Sequence, residues 1–160
     1  MKTIVRGAIG PALIVAALQF VIELVFPIAA LGLPFKQRLS MALAMTALSQ
    51  MTLLIGATVY AGFLRRRSRA SLSGCTVGGA TVGLLANLAS QVAKSVLLGL
   101  AVAVMMNGAV LALVLVAMFF SCLLAGIGGL VIGEIGGGAV GLLSRWRLRG
   151  PVEGAGLARR

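Results

Sequence analysis

Four long apolar stretches, divided by clusters of arginine and lysine, fix what this chain can fold into. A helix needs about 20 apolar residues to cross a ~30 Å hydrocarbon core. The first stretch covers about residues 7–33, between Arg6 and Lys36, and the second about 39–64, between Arg38 and Arg65. After Arg65-Arg66-Arg67-Ser68-Arg69 the third covers about 72–106. The fourth covers about 109–143 and ends at Ser144-Arg145-Trp146-Arg147. Between these last two, Asn107-Gly108 is a turn-forming pair. Both are longer than a bilayer requires, which predicts tilt, a kink or an interfacial turn. Composition agrees, with 60% of the 160 residues hydrophobic and 11% charged, where soluble domains hold roughly 45–50% and 25%. Too few polar residues remain to clothe a soluble core. The expectation is an all-α integral membrane four-helix bundle over residues 1–149, followed by a flexible cytoplasmic tail over 150–160.

With four spans, both termini and the loop between the second and third segments share one side. That side carries Lys2, Arg6, Arg65, Arg66, Arg67, Arg69, Arg145, Arg147, Arg149, Arg159 and Arg160. The other side carries Lys36 and Arg38, while Lys94 falls inside a span. Basic residues stay in the cytoplasm, so the reading is a multi-pass protein of the plasma membrane with both termini cytoplasmic. Arg65, Arg66, Arg67, Arg69, Arg145 and Arg147 are expected to meet anionic lipid headgroups. Trp146 is expected as an interfacial anchor, and Tyr60 as a second one. A sequence pI near 11.8 can also mark nucleic-acid binding, but these arginines hug helix ends and lack interleaved aromatics or a basic module. No nucleic-acid partner is expected. Lys2 and Arg6 before an apolar run resemble a signal peptide, yet the run far exceeds a 7–15-residue signal core. It reads as a retained helix, kinked near Pro27, where proline removes a hydrogen bond.

Histidine and aspartate are absent from the chain. That removes Ser-His-Asp and Cys-His catalysis, HExxH zinc sites and Asp-based phosphoryl transfer. A lipid-modifying enzyme would lack the groups its site requires. Cys75 and Cys122 form no CxxC and read as small apolar residues. No enzymatic activity, cofactor or metal site is expected.

Glycine is the most informative residue type. In the fourth segment Ala125, Gly129, Gly133, Gly137 and Gly141 recur every four residues; in the third, Cys75, Gly79, Gly83, Asn87, Gln91, Ser95 and Gly99 do the same. Residues four apart share a helix face, so each segment carries a groove along one side. Lipid gives helices no hydrophobic reason to associate, so they approach through small residues. Gly79, Gly83, Gly129, Gly133, Gly137 and Gly141 are therefore the expected packing positions, with the third and fourth helices antiparallel. Two uses stay open: packing inside one bundle, or a further contact with another subunit, a second copy or lipid.

Three ionisable residues fall within the spans: Glu23, Lys94 and Glu134. Each is costly in hydrocarbon, about 2.5–3.5 kcal/mol for Lys or Asp at the centre, and should face the protein or a wet cavity. Glu23 precedes Lys36 by 13 residues and Lys94 precedes Asn107 by 13, so at 1.5 Å per residue both lie roughly 20 Å from the same surface. They are the expected ion pair. Gln19, Gln50, Asn87 and Gln91 are polar neighbours, and Asn87, Gln91 and Lys94 share a face. Glu134 lies 11 residues before Arg145, with no lysine at its level. It reads either as a proton or ion site, grouped with Asn87 and Gln91, or as an acid reaching Arg65 to Arg69.

Rich helix-contact chemistry beside almost no catalytic chemistry points to a structural or accessory membrane protein. It would pack into a larger complex or a homo-oligomer through the glycine faces. The alternative is a small transporter or ion channel that uses Glu23, Lys94 and Glu134. A water-filled passage touching those residues favours transport, and a dry sealed bundle favours structure.

Overall fold

The computed structural model describes residues 2–29, 32–105 and 108–148. It is all-helical: α1 (Lys2–Ala29), α2 (Phe35–Ser68), α3 (Leu72–Met105) and α4 (Gly108–Leu148). All four are long and apolar enough to cross a membrane. Asn107 of the expected turn and the tail at 150–160 lie outside the described residues.

Several helix ends run past the apolar stretches that announce them, while α1 ends earlier, at Ala29, and α3 begins at Leu72 as expected. α1 begins at Lys2 rather than near residue 7, α2 spans Phe35–Ser68 rather than 39–64, and α4 continues to Leu148. Hydropathy stops at a charge, but arginine and lysine are good helix formers, so the basic flanks stay helical. The chain ends its helices by local backbone chemistry instead. Gly32 takes a positive φ of 84° before α2, and Pro34, extended at φ −60° and ψ 152°, caps it while its carbonyl accepts from the Arg38 amide. At the other end of α2 Arg69 turns left-handed at φ 47°, a conformation that costs a non-glycine residue about 1 kcal/mol or more. The Arg65 guanidinium donates to the Ala70 carbonyl at 2.6 Å and bridges that turn. Ser71 then caps α3, its hydroxyl accepting from the Gly74 amide at 3.2 Å.

α3 sits centrally, packed on all three other helices, and shares its largest surface with α4. Among the described residues α1 and α4 do not pack against each other. Large aliphatic and aromatic side chains point outward on every helix, among them Ile14, Leu43, Val59, Leu98, Phe119 and Leu124. A soluble protein cannot carry so continuous an apolar surface; in a bilayer it is the lipid-facing shell. The interior is built from small residues, with Ala8, Ala12, Ala16, Ala57, Ala61 and Ala86 buried around Leu53, Tyr60 and Val82. Close backbone approach replaces large-residue packing, as membrane helix contacts require.

Tyr60 corrects the sequence reading. It is buried at 4% exposure, and its hydroxyl donates to the Ile4 carbonyl at 2.7 Å. The expected interfacial anchor is a strut between α1 and α2, because the glycine at position 7 leaves room for the phenol.

Candidate functional site: a charged pair at the junction of three helices

Glu23 comes from α1, Lys94 from α3 and Ser49 from α2. Lys94 Nζ pairs with Glu23 Oε2. Ser49 Oγ donates to the other carboxylate oxygen, Oε1, at 2.8 Å. Gln19, one turn before Glu23, donates from Nε2 to both the Oγ and the carbonyl of Ser49 at 3.3 Å. Both Glu23 oxygens are thus engaged, as a partly buried polar group requires. Gln19 is wholly buried, and among the described residues its Oε1 has no hydrogen-bond partner, nor do Ser90 Oγ, one turn before Lys94, and Gln50 Oε1.

The pair is not sealed. The Lys94 side chain is 29% exposed and that of Glu23 26%. Two cavities meet at Lys94. One, about 310 Å³, is lined by Glu23, Ala42, Met45, Thr46 and Lys94. The other, about 390 Å³, lies between α3 and α4, with Gln91, Lys94, Ser95 and Ser121 among its lining residues. Both lie on the Lys36 side of the bundle's midpoint. In the half that carries the arginine run, Ala8, Ala12, Tyr60, Leu64 and Val82 belong to one buried apolar cluster.

Asn87 and Gln91 tie α3 to α4. Asn87 Nδ2 donates to the Ala125 carbonyl at 2.7 Å, and Gln91 Nε2 donates to Ser121 Oγ. Gln91 shares the α3–α4 cavity with Lys94, whereas Asn87 does not line it. Glu134 is elsewhere. It is exposed on the outer face of α4, and among the described residues it makes no salt bridge with Arg65 to Arg69. The reason is helical: Gly133 faces α3, and the next residue is rotated about 100° away from it. Sequence spacing alone did not single out Ser49, whose hydroxyl links Gln19 to Glu23; only the helix crossing reveals it.

The glycine positions meet backbone to backbone. A methyl at Gly79 would overlap the Gly133 carbonyl, one at Gly83 the Gly129 carbonyl, and one at Gly137 the Cys75 carbonyl. Residue numbers rise along α3 as they fall along α4. Gly141 abuts Leu72, and Gly136 turns to a second partner, α2, at Thr58 and Leu54. Gly138 has open space in front of it. Of the basic cluster, Arg65 is held by the Ala70 carbonyl and Arg67 lies 5.6 Å from the centre of the Phe63 ring. Trp146 is 80% exposed, and the side chains of Arg145 and Arg147 lie outside the described residues. Cys75 and Cys122 are free thiols. No cluster of potential metal ligands occurs among the described residues.

Four membrane-length helices around a partly buried Lys–Glu salt bridge define a multi-pass membrane protein with a charged interior. Comparison of the chain with protein-family models, with curated proteins and with solved structures finds no match.

Proposed function

We propose that this chain is a small, non-enzymatic membrane transporter or ion-conducting protein in which Glu23 and Lys94 form the ion-responsive element. The observation that carries the reading is Lys94 itself, which borders two cavities while paired to Glu23 in only one of them. A proton or cation arriving at Glu23 weakens its hold on the ammonium. Lys94 can then swing toward Gln91, Ser95 and Ser121, which offer oxygen acceptors, while Ser49 keeps Glu23 in place. The buried apolar cluster in the arginine-bearing half supports a site reached from the Lys36 side. A purely structural pair has no need of either cavity, which is why transport ranks above the accessory role expected from composition.

The arginine-bearing half is proposed to face the cytoplasm, by the excess of basic residues there, with both termini on the cytoplasmic side of the plasma membrane. The antiparallel glycine contact between α3 and α4 is proposed as the rigid wall against which α1 and α2 move. Glu134 and Gly138, both outward-facing, leave the rim of α4 free for further subunits or copies. No cofactor or nucleic acid has a part in this reading.

Access tests it. In a background with Cys75→Ala and Cys122→Ala, single cysteines at Thr46 and Met118 should react with a membrane-impermeant thiol reagent applied from the Lys36 side. A cysteine at Ala86 should stay protected. Protection of Thr46 and Met118 from both sides would indicate a dry bundle and return the chain to a structural role.

A further inference from the structure

A second apolar feature shares no lining residue with the charged pair. It is a groove of about 550 Å³ between α1 and α2 on the lipid-facing surface. Its floor is set by residues with little side chain, Gly7 and Pro11 on α1 and Gly56 on α2, and its α2 wall runs from Thr52 through Val59 to Phe63. Gly56 is pressed against Val15, so the two helices touch at the floor of the groove. From Thr52 to Phe63 the wall extends roughly 16 Å at 1.5 Å per residue. That length suits a substantial part of one acyl chain.

The two ends of the groove differ. Thr52 lies toward the middle of α2, and Phe63 lies beside the arginine run. The Phe63 ring lies below the Arg67 guanidinium at 5.6 Å, and Arg6 immediately precedes Gly7. Unlike Arg65, which is spent on the Ala70 carbonyl, Arg67 is exposed and makes no salt bridge among the described residues. An apolar slot that takes much of one acyl chain and ends beside the exposed Arg67 guanidinium is complementary to one ligand chemistry, a chain with an anionic head.

We infer that this groove binds an anionic phospholipid, with an acyl chain along Gly7, Pro11, Gly56 and Val59 and its phosphate at Arg67 and Arg6. A second copy of the chain is a poorer occupant, because it would bring a further set of arginines to the same end. Stacking on Phe63 holds the guanidinium at the mouth, where a freely rotating arginine would sample the whole surface. The bound lipid clamps α1 to α2 along the outer side of their contact at Gly56 and Val15. The site is separate from the charged pair and stands whether or not the chain transports ions.

The test uses the full chain, delipidated in neutral detergent and supplied with phosphatidylglycerol or phosphatidylcholine of identical acyl chains. Retained lipid is read by native mass spectrometry and the thermal midpoint is followed in parallel. Wild type should retain one phosphatidylglycerol in preference to phosphatidylcholine and gain thermal stability from it. Arg67→Gln, on an exposed residue, should weaken that preference roughly fivefold, the worth of one arginine near an anionic surface. Val59→Trp, which fills the groove from an exposed position, should abolish retention of both lipids. Equal retention of the two lipids by wild type, or an unchanged preference in Arg67→Gln, would overturn the inference. So would a Val59→Trp variant that still holds phosphatidylglycerol, or a wild-type dimer that this substitution makes monomeric.

Discussion

Ser49 donates its hydroxyl to Glu23 at 2.8 Å, and so divides the carboxylate between two partners on different helices. Oε1 belongs to α2 through Ser49, and Oε2 belongs to α3 through Lys94. Glu23 is therefore the point at which three of the four helices are joined by polar contacts. Loss of the hydroxyl in Ser49→Ala leaves Oε1 without its donor and frees Gln19 Nε2 from one acceptor. It should lower stability by about 1–3 kcal/mol, read as a reduced Tm in detergent or nanodiscs.

The pair itself predicts non-additivity. Removing either member alone leaves a partly desolvated charge unmatched, at a cost of about 3–5 kcal/mol. Glu23→Gln combined with Lys94→Met should cost clearly less than either single change. Costs that simply add would show that the two side chains do not interact in the native membrane protein.

The glycine contacts predict a sharp positional contrast. Gly83→Leu or Gly133→Leu forces a side chain into the backbone of the facing helix, and overpacking costs about 1–3 kcal/mol or more. Gly138, with open space in front of it, should accept alanine with no loss, and alanine is the better helix former. Thermal melts of the three variants side by side check this. Equal tolerance at Gly133 and Gly138 would mean that α3 and α4 do not meet through this face.

Glu134 should respond in the opposite sense from Glu23. An outward acid in a span is a cost with no partner to offset it among the described residues. Glu134→Gln should therefore leave the Tm unchanged or raise it, whereas Glu23→Gln lowers it. A marked loss of stability in Glu134→Gln would instead reveal a partner that the isolated chain lacks.

Much of this was legible before any coordinates. The four spans follow from apolar length alone, and the Glu23–Lys94 pair follows from counting depth, because a helix converts residue number into height with little error. What counting cannot give is rotation. Glu134 and Gly133 are neighbours in sequence, yet one faces lipid and the other α3, and a chain apolar on nearly every side offers no amphipathic stripe to orient it. The same blindness hid Ser49, an unremarkable serine until α1 crosses α2 beside it, and misplaced Tyr60, whose position near a helix end suggested an interfacial anchor. The start of α1, both ends of α2 and the end of α4 were underestimated because the basic residues that stop hydropathy do not stop a helix.

The most direct test of the central claim is ion flux in liposomes containing the purified chain, comparing wild type with the Glu23→Gln, Lys94→Met double variant. Proton and monovalent-cation movement is followed with entrapped indicators, and folding of both proteins is verified by Tm before reconstitution. The account predicts flux through wild type and none through a double variant that remains folded. Flux that persists undiminished in the double variant, or a folded wild type that passes no ions under a proton or cation gradient, would contradict it.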